Sequence, residues 1–499
     1  MINFLTRYIK SLYFKKQFYK MAIDKNMFAP PESVRGMKSL DMRAFKKAVK
    51  IPVLEVKGEF PHFVKVLETV LIKMPKFTSF VDTASGRLYY IDPLKLPKES
   101  MSVEKLLEYV LGVTKSKNLI KLMCTSPVPP ENCNLYSTEL QITFDNYSYS
   151  SVLKSVLPEG SRTVSGWTHM GHILHLNLTD DLVRYKNVIG EVLLNKIPNV
   201  QMVINKTDSV DNFDNSYRSL AMEVIAGEGS TITSVRENGC TFEFNFAKVY
   251  WNSRLCQEHE TMVAKIGKDD ALYDVMAGVG PFCIPVAKSS GTKHILANDL
   301  NPSSYHWLNR NAVLNKVQTR FKSHNMDGFE FVKTVVRNHM LDLWCTSVFD
   351  GNIHILMNLP ATAETFLRSF VGLYADLPPD NNIENFVAPI VHVYMFTKDQ
   401  KQSSIRNRVA FYLNLVDELP NYDAEVTAMI QEVHENNRRN PSGSKVPPPK
   451  YGRKLGNKFK NDAVEIPGLN IEEIHFVRRV APAKAMVRVK KYKLNIYHV

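Results

Sequence analysis

Asp274-Val275-Met276-Ala277-Gly278-Val279-Gly280-Pro281-Phe282 closes the apolar run that begins at Ala271. Gly278 and Gly280 let a backbone turn tightly and come close to a ligand. Pro281 suits the first turn of a helix, where its missing N–H costs nothing. A strand, a glycine turn and a helix in this order place a ligand at the carboxyl end of the strand. The third glycine of the dinucleotide fingerprint is absent, because Cys283 stands there. That argues against NAD and fits a cofactor without a pyrophosphate. Asp299 lies 25 residues after Asp274, at the end of the next apolar run. An acid in that position can accept both hydroxyls of a ribose. The turn and the spaced acid together point to an adenosine cofactor.

Outward from this stretch the same alternation repeats. Ala271–Val275 reads as a strand and Pro281–Ser290 as a helix closed by Gly291. His294–Asn298 reads as a second strand, Pro302–Asn315 as a second helix, and Ile353–Leu359 and Pro389–Phe396 as further strands. Ile474–Val480 and Ala485–Lys493 read as a closing pair. The expectation is an α/β fold with a parallel sheet covered on both faces. Thr231–Val235 and Cys240–Phe246 alternate like two strands around Glu237-Asn238-Gly239, a hairpin turn sequence. Domains are expected at 28–150 and 151–248, both smaller and α+β, and at 249–499, the α/β domain. No catalytic motif occurs in 28–150.

Net charge is +13, but it is unevenly spread. Residues 1–23 hold Arg7, Lys10, Lys15, Lys16 and Lys20 with no acid, and residues 434–462 hold eight basic residues against Glu435 and Asp462. These two stretches carry most of the excess, so overall charge says little about a nucleic-acid partner. On a helix the leader's apolar positions form a stripe opposite its charges, the pattern of a mitochondrial transit peptide; a basic tail is the plainer alternative. Met21 offers a second start, and with it a form in the nucleus or cytoplasm. The 434–462 stretch is a Pro-, Gly- and Lys-rich insertion in the last domain. No run approaches the ~18 apolar residues of a membrane span, so a soluble protein is expected. The six cysteines form no CxxC pair and read as free thiols. His169, His172 and His175 lie in a strand-like run, where a spacing of three turns them to alternating faces, so no metal is expected.

Several motifs carry a resemblance. Val249-Tyr250-Trp251-Asn252-Ser253-Arg254, Glu258-His259-Glu260, Asp274–Phe282, Asn298-Asp299-Leu300-Asn301-Pro302, Asn325-Met326-Asp327-Gly328 and Met357-Asn358-Leu359-Pro360 resemble the class I tRNA (guanine-N1)-methyltransferases of archaea and eukaryotes. Gly171–Leu178 and Val224-Ile225-Ala226-Gly227 resemble that family's middle domain, and Pro482, Lys484 and Met486 its C-terminal strands. The chain departs from the pattern at Met276, where Phe is usual, and at Arg218-Ser219-Leu220, where Arg-Thr-Phe is common.

The resemblance implies a Rossmann-like methyltransferase sheet at the C-terminus, S-adenosylmethionine as cofactor, and tRNA as substrate, methylated at N1 of the guanosine 3′ of the anticodon. It implies that the 28–150 domain recognises tRNA and that the enzyme is a monomer. Glu258 matches the family's general base, Arg218 the arginine that supports charge on O6, and Asn358 a strand-end amide near the methyl donor. Asp274, Gly278, Gly280, Asp299, Asp327 and Asn358 are expected to hold the cofactor, and Tyr250, Arg254 and Pro360 the substrate. A base is needed because N1 of guanine is protonated at neutral pH, and a carboxylate serves if burial raises its pKa. Two alternatives stay open. One is a related transferase that moves an aminocarboxypropyl group from the same cofactor to tRNA. The other is a non-catalytic RNA-binding protein with a degenerate cofactor site.

Overall fold

The computed structural model describes residues 24–58, 63–97, 102–113, 132–162, 164, 166–207, 222–292, 294–345, 349–377, 386–397, 401–417, 465–467, 469–481 and 484–491. The 1–23 leader, Arg218, Pro482 and the 434–462 insertion lie outside the described residues. The chain divides into two compact units, Met1–Lys206 with Glu223–Gly229, and Thr207–Met222 with Ser230–Val499.

The first unit holds two four-stranded sheets. One has β1 (Lys47–Lys57), β2 (Phe80–Thr83), β3 (Gly86–Tyr90) and β4 (Cys133–Ile142) in the order β2-β3-β1-β4. The other has β5 (Trp167–Met170), β6 (Ile173–Leu176), β7 (Met202–Lys206) and β8 (Met222–Gly227), in that order. Val49 and Ile51 of β1 share one core with Leu174 and Leu176 of β6 and Val203 of β7. The helix Lys186–Lys196 buries Val188, Ile189, Val192 and Leu193 in that core. His169 and His175 fall on the paired strands β5 and β6, and His172 in the turn between them.

The second unit opens with the hairpin β9 (Ile232–Glu237) and β10 (Cys240–Asn245). Asn238 and Gly239 both have positive φ, +48° and +71°, as the twist of a two-residue hairpin loop demands. Its sheet has seven strands. The first five are β11 (Ala271–Asp274), β12 (His294–Asn298), β13 (Phe321–His324), β14 (Ile353–Met357) and β15 (Ile390–Thr397); the last two are β16 (Ile471–Ala481) and β17 (Lys484–Lys491). The order is β13-β12-β11-β14-β15-β17-β16. The first five strands pair in parallel, and β15-β17-β16 are antiparallel. Every residue of β11 and β14 is buried, as expected of strands with both faces covered. The α/β class and the strand positions agree with the sequence reading, apart from the short β13, which was not expected.

Helix α1 (Cys256–Val263) precedes β11, α2 (Cys283–Ser289) follows the glycine turn, and α3 (Pro302–Leu314) follows β12. Asn301 caps α3 by accepting the Ser303 N–H at 2.9 Å, with Pro302 in the first turn. Buried Asn311 on α3 accepts the Glu243 N–H from β10 at 2.8 Å and donates to the Val279 carbonyl at 3.1 Å. One amide thus ties the hairpin, the helix and the glycine turn together. Strand order reverses between β11 and β14, which opens a crevice at their carboxyl ends. No helix among the described residues is long and apolar enough to cross a membrane.

Candidate active site

The crevice is a cleft of about 420 Å3 lined by Gly278, Asp299, Asp327, Asn358 and Pro360 at the strand ends and also by Tyr250, Phe396, Arg478 and Met486. Gly278 has φ +58°, and a Cβ built on it would meet nothing within 4 Å. Its backbone is therefore open to a ligand. Gly280 (φ +95°) serves packing instead, since a Cβ there would lie 2.5 Å from Ile284 Cδ1. The glycine lets α2 pack against the turn, and Gly280 does not itself line the cleft.

Asp299 binds the turn together. Its Oδ2 accepts the Gly278 N–H at 2.8 Å and its Oδ1 the Asn301 N–H at 2.9 Å. Burial pushes its carboxyl above the usual range. Ser304 also hydrogen-bonds the carboxyl, and of the roughly four acceptor positions of a carboxylate this leaves room for a further donor. Asp274 sits lower, fully buried at the end of β11 and outside the cleft wall; burial, then the nearby Asp299, push its carboxyl well up. Asp327 caps the next turn by accepting the Phe329 N–H at 2.8 Å, and its exposed side chain borders the cleft. Buried Asn298, whose role the sequence did not reveal, fixes three strand ends. Its Nδ2 donates to the Val275 and Met326 carbonyls at 3.2 and 2.9 Å, and its Oδ1 accepts the Met326 N–H.

Asn358 leaves β14 into the cleft, and its buried Oδ1 has no hydrogen-bond partner among the described residues. A buried amide oxygen left unpaired costs free energy unless a ligand donates to it. Tyr250, which lines the same cleft, is 46% exposed, and its hydroxyl accepts from Asn252 Nδ2 at 3.1 Å. A half-exposed aromatic and an orphaned acceptor lining one cleft suit a planar, hydrogen-bonding group.

Residues 233–377 match the model described as "TRM5/TYW2 methyltransferase domain", and residues 149–231 the one described as "TYW2 N-terminal domain". A Mus musculus protein named tRNA (guanine(37)-N(1))-methyltransferase is 39% identical over 381 residues, which span 75% of this chain and 71% of that protein. Proteins of the same name from Drosophila pseudoobscura pseudoobscura and Homo sapiens are 38% and 36% identical, over 82% and 86% of this chain and 88% and 84% of their own lengths. The chain belongs to the tRNA (guanine(37)-N1)-methyltransferase family.

Within this family member, Glu258 on α1 occupies an unexpected setting. It is buried, and its Oε1 accepts from Tyr394 Oη at 2.8 Å and Arg488 Nε at 2.7 Å. Its Oε2 lies 3.5 Å from His475 Nε2. Burial alone would push the carboxyl up, but His475, Arg488 and Tyr394 hold it below its ordinary value. The expected rise toward neutrality is thus reversed by a guanidinium, an imidazole and a phenol that no motif pointed to. The strand register explains the cluster. Tyr394 on β15 lies opposite Arg488 on β17, which lies opposite His475 on β16. The next row, Phe396, Met486 and Arg478, lines the cleft. Glu258 therefore rests against the row behind the cleft wall and is not part of the wall itself. Arg254 is exposed just outside the wall. Asp299, Asp327, Asn358, Gly278, Tyr250 and Pro360 converge on one cleft; Arg218 lies outside the described residues.

Proposed function

We propose that this chain methylates N1 of guanosine 37, immediately 3′ of the anticodon of tRNA, with S-adenosylmethionine as methyl donor. The family relationship across most of the chain carries this reading. The cleft is consistent with it: Gly278 gives an open backbone, Asp299 and Asp327 offer acceptors for an adenosine, and Asn358 offers an unpaired amide oxygen. When bound, the cofactor supplies a methyl group on a sulfonium, an electrophile that needs no metal.

The chain's own residues then have three roles. Asn358 accepts an N–H of the guanine edge and holds the base in plane. Arg218 supports the negative charge that grows on O6 as the N1 proton leaves. Glu258, ionised throughout the neutral range, takes that proton. For this, substrate binding must bring its carboxylate from the Tyr394–Arg488 clamp to within about 3 Å of N1. The protein acts as a monomer. The leader directs one form to the mitochondrial matrix, and a form started at Met21 stays in the nucleus and cytoplasm.

Unmodified tRNA incubated with the protein and labelled S-adenosylmethionine, digested and analysed by mass spectrometry, tests the reaction. N1-methylguanosine at position 37 is expected. A guanosine derivative bearing an aminocarboxypropyl group, or no labelled nucleoside, would refute the reading in favour of one of the two alternatives.

A further inference from the structure

We propose that Arg478 and Arg254 together form an anion site at the cleft mouth that takes a backbone phosphate of the RNA beside the target base. The inference rests on the tRNA reading above and adds a site to it.

Arg478 is half-buried and lines the cleft in the same row as Met486 and Phe396. Its contacts are modest for a guanidinium: Nη1 reaches Asn252 Oδ1 at 3.4 Å and Nε the Arg479 carbonyl at 3.4 Å. No carboxylate pairs with it among the described residues. Elsewhere in this unit, Arg337 pairs with Asp376, Arg408 with Glu364 and Arg488 with Glu258. The same Asn252 Oδ1 accepts the Arg254 backbone N–H at 3.2 Å, and Asn252 Nδ2 holds the Tyr250 hydroxyl. One asparagine thus contacts the Arg478 guanidinium, the Arg254 backbone and the exposed aromatic on one rim. Burial, and then the charge of Arg254, pull the Arg478 guanidinium below its ordinary value. Two neighbouring cations without a paired acid are an arrangement that a bound anion relieves.

The position selects the anion. Gly278 follows β11 and Asp299 follows β12, whereas Arg478 is on β16, four strands from β11. At about 4.8 Å per strand that is roughly 19 Å across the sheet. The cofactor's carboxylate, tethered to an adenosine at Asp299, belongs to the near side. The polyanion entering from the far side is the RNA, and a guanidinium fork matches a phosphate in two-point contact. Tyr250, on the same rim, is placed for a base next to that phosphate.

The test uses the full chain with Arg254→Gln, Arg478→Gln and the double variant. It also uses two forms of the tRNA: the native form and one with neutral methylphosphonate linkages flanking guanosine 37. With native tRNA each single variant is expected to bind about 10-fold or more weakly. The salt dependence of log K should fall by about 0.7, one single-strand phosphate contact. The S-adenosylmethionine affinity, read without tRNA, should change little. The wild type should bind the methylphosphonate tRNA as weakly as Arg478→Gln binds the native form, and that variant should lose little more on the neutral linkage. Arg478→Lys, which keeps charge but not the fork, should fall between. If Arg478→Gln weakens cofactor binding while tRNA affinity stays, the anion is the cofactor's carboxylate and the proposal fails. Equal losses on native and neutral linkages would also overturn it. Identifying the methylated nucleoside in the wild-type reactions separates failure of this site from failure of the tRNA reading.

Discussion

Replacing Glu258 by Gln tests the base and the fold at once, so the two effects must be pulled apart. Glu258 is 5% exposed and Arg488 1%. Removing the carboxylate's charge leaves the buried guanidinium with only the half-exposed Glu473, 3.8 Å away, as an anion, a loss of up to about 3–5 kcal/mol by comparison with broken buried pairs. The remaining contacts survive in part, because the Gln oxygen can still accept from Tyr394. An inactive Glu258→Gln protein would therefore mean little alone. The informative partner is Glu258→Gln/Arg488→Met. Met fills much of the arginine's volume and removes the stranded cation, and neutral replacements of buried pairs are often close to neutral in stability. Urea unfolding should show a large loss for the single variant and recovery of most of it in the double variant. Single-turnover methylation with enzyme in excess should stay depressed by about 10²–10⁴ in both, because neither has a base. If the double variant returns to within a few-fold of the wild-type rate, the carboxylate only holds the sheet together, and the base must be sought elsewhere, with Glu260 the next carboxylate to test.

The pH dependence follows from the same cluster. Folded Glu258 binds its proton less readily than unfolded Glu258, because His475, Arg488 and Tyr394 outweigh burial. Its contribution to stability is therefore present above the unfolded carboxyl pKa and is lost as pH falls through the lower folded value. The same sign applies to kcat/KM, which reports the free enzyme with Glu258 still in its clamp: there the base is ionised above its depressed pKa. For methylation kcat/KM should be flat through neutrality and fall only on the acid side of the ordinary glutamate range. An inflection near pH 7 that survives in Glu258→Gln would assign the titration to another group.

Asp299→Ala should weaken S-adenosylmethionine binding by ~1.5–3 kcal/mol, read by calorimetry; unchanged affinity would remove the adenosine reading of the second strand end. Deleting 434–462, which carries eight basic residues, should flatten the salt dependence of tRNA binding and leave the choice of target base intact; an unchanged slope would make the insertion a solvated linker. Residues 1–25 fused to a fluorescent reporter should bring it into mitochondria, and a reporter left diffuse in the cytosol would end the targeting proposal.

The parallel half of the sheet was legible because its signals are local. A buried strand, a positive-φ glycine and a capped helix announce themselves within a dozen residues, and Gly278, Asp299 and Asn358 all sit at such junctions. The antiparallel half was legible as strands, but its chemistry was not, because that chemistry is read across strands. Tyr394, Arg488 and His475 meet Glu258 only through a register that joins segments up to 230 residues apart. Strand alternation even misleads here. His475 and Arg478 are three residues apart, so a period of two puts them on opposite faces. Their partners Arg488 and Met486 are two apart and share a face. The register shift between Phe476 and Arg478 absorbs the odd residue, as a bulge does. That one irregularity turns Arg478 into the cleft while His475 stays against Glu258. A candidate phosphate contact and the setting of the proposed base thus both depend on a feature that residue types and spacing do not encode.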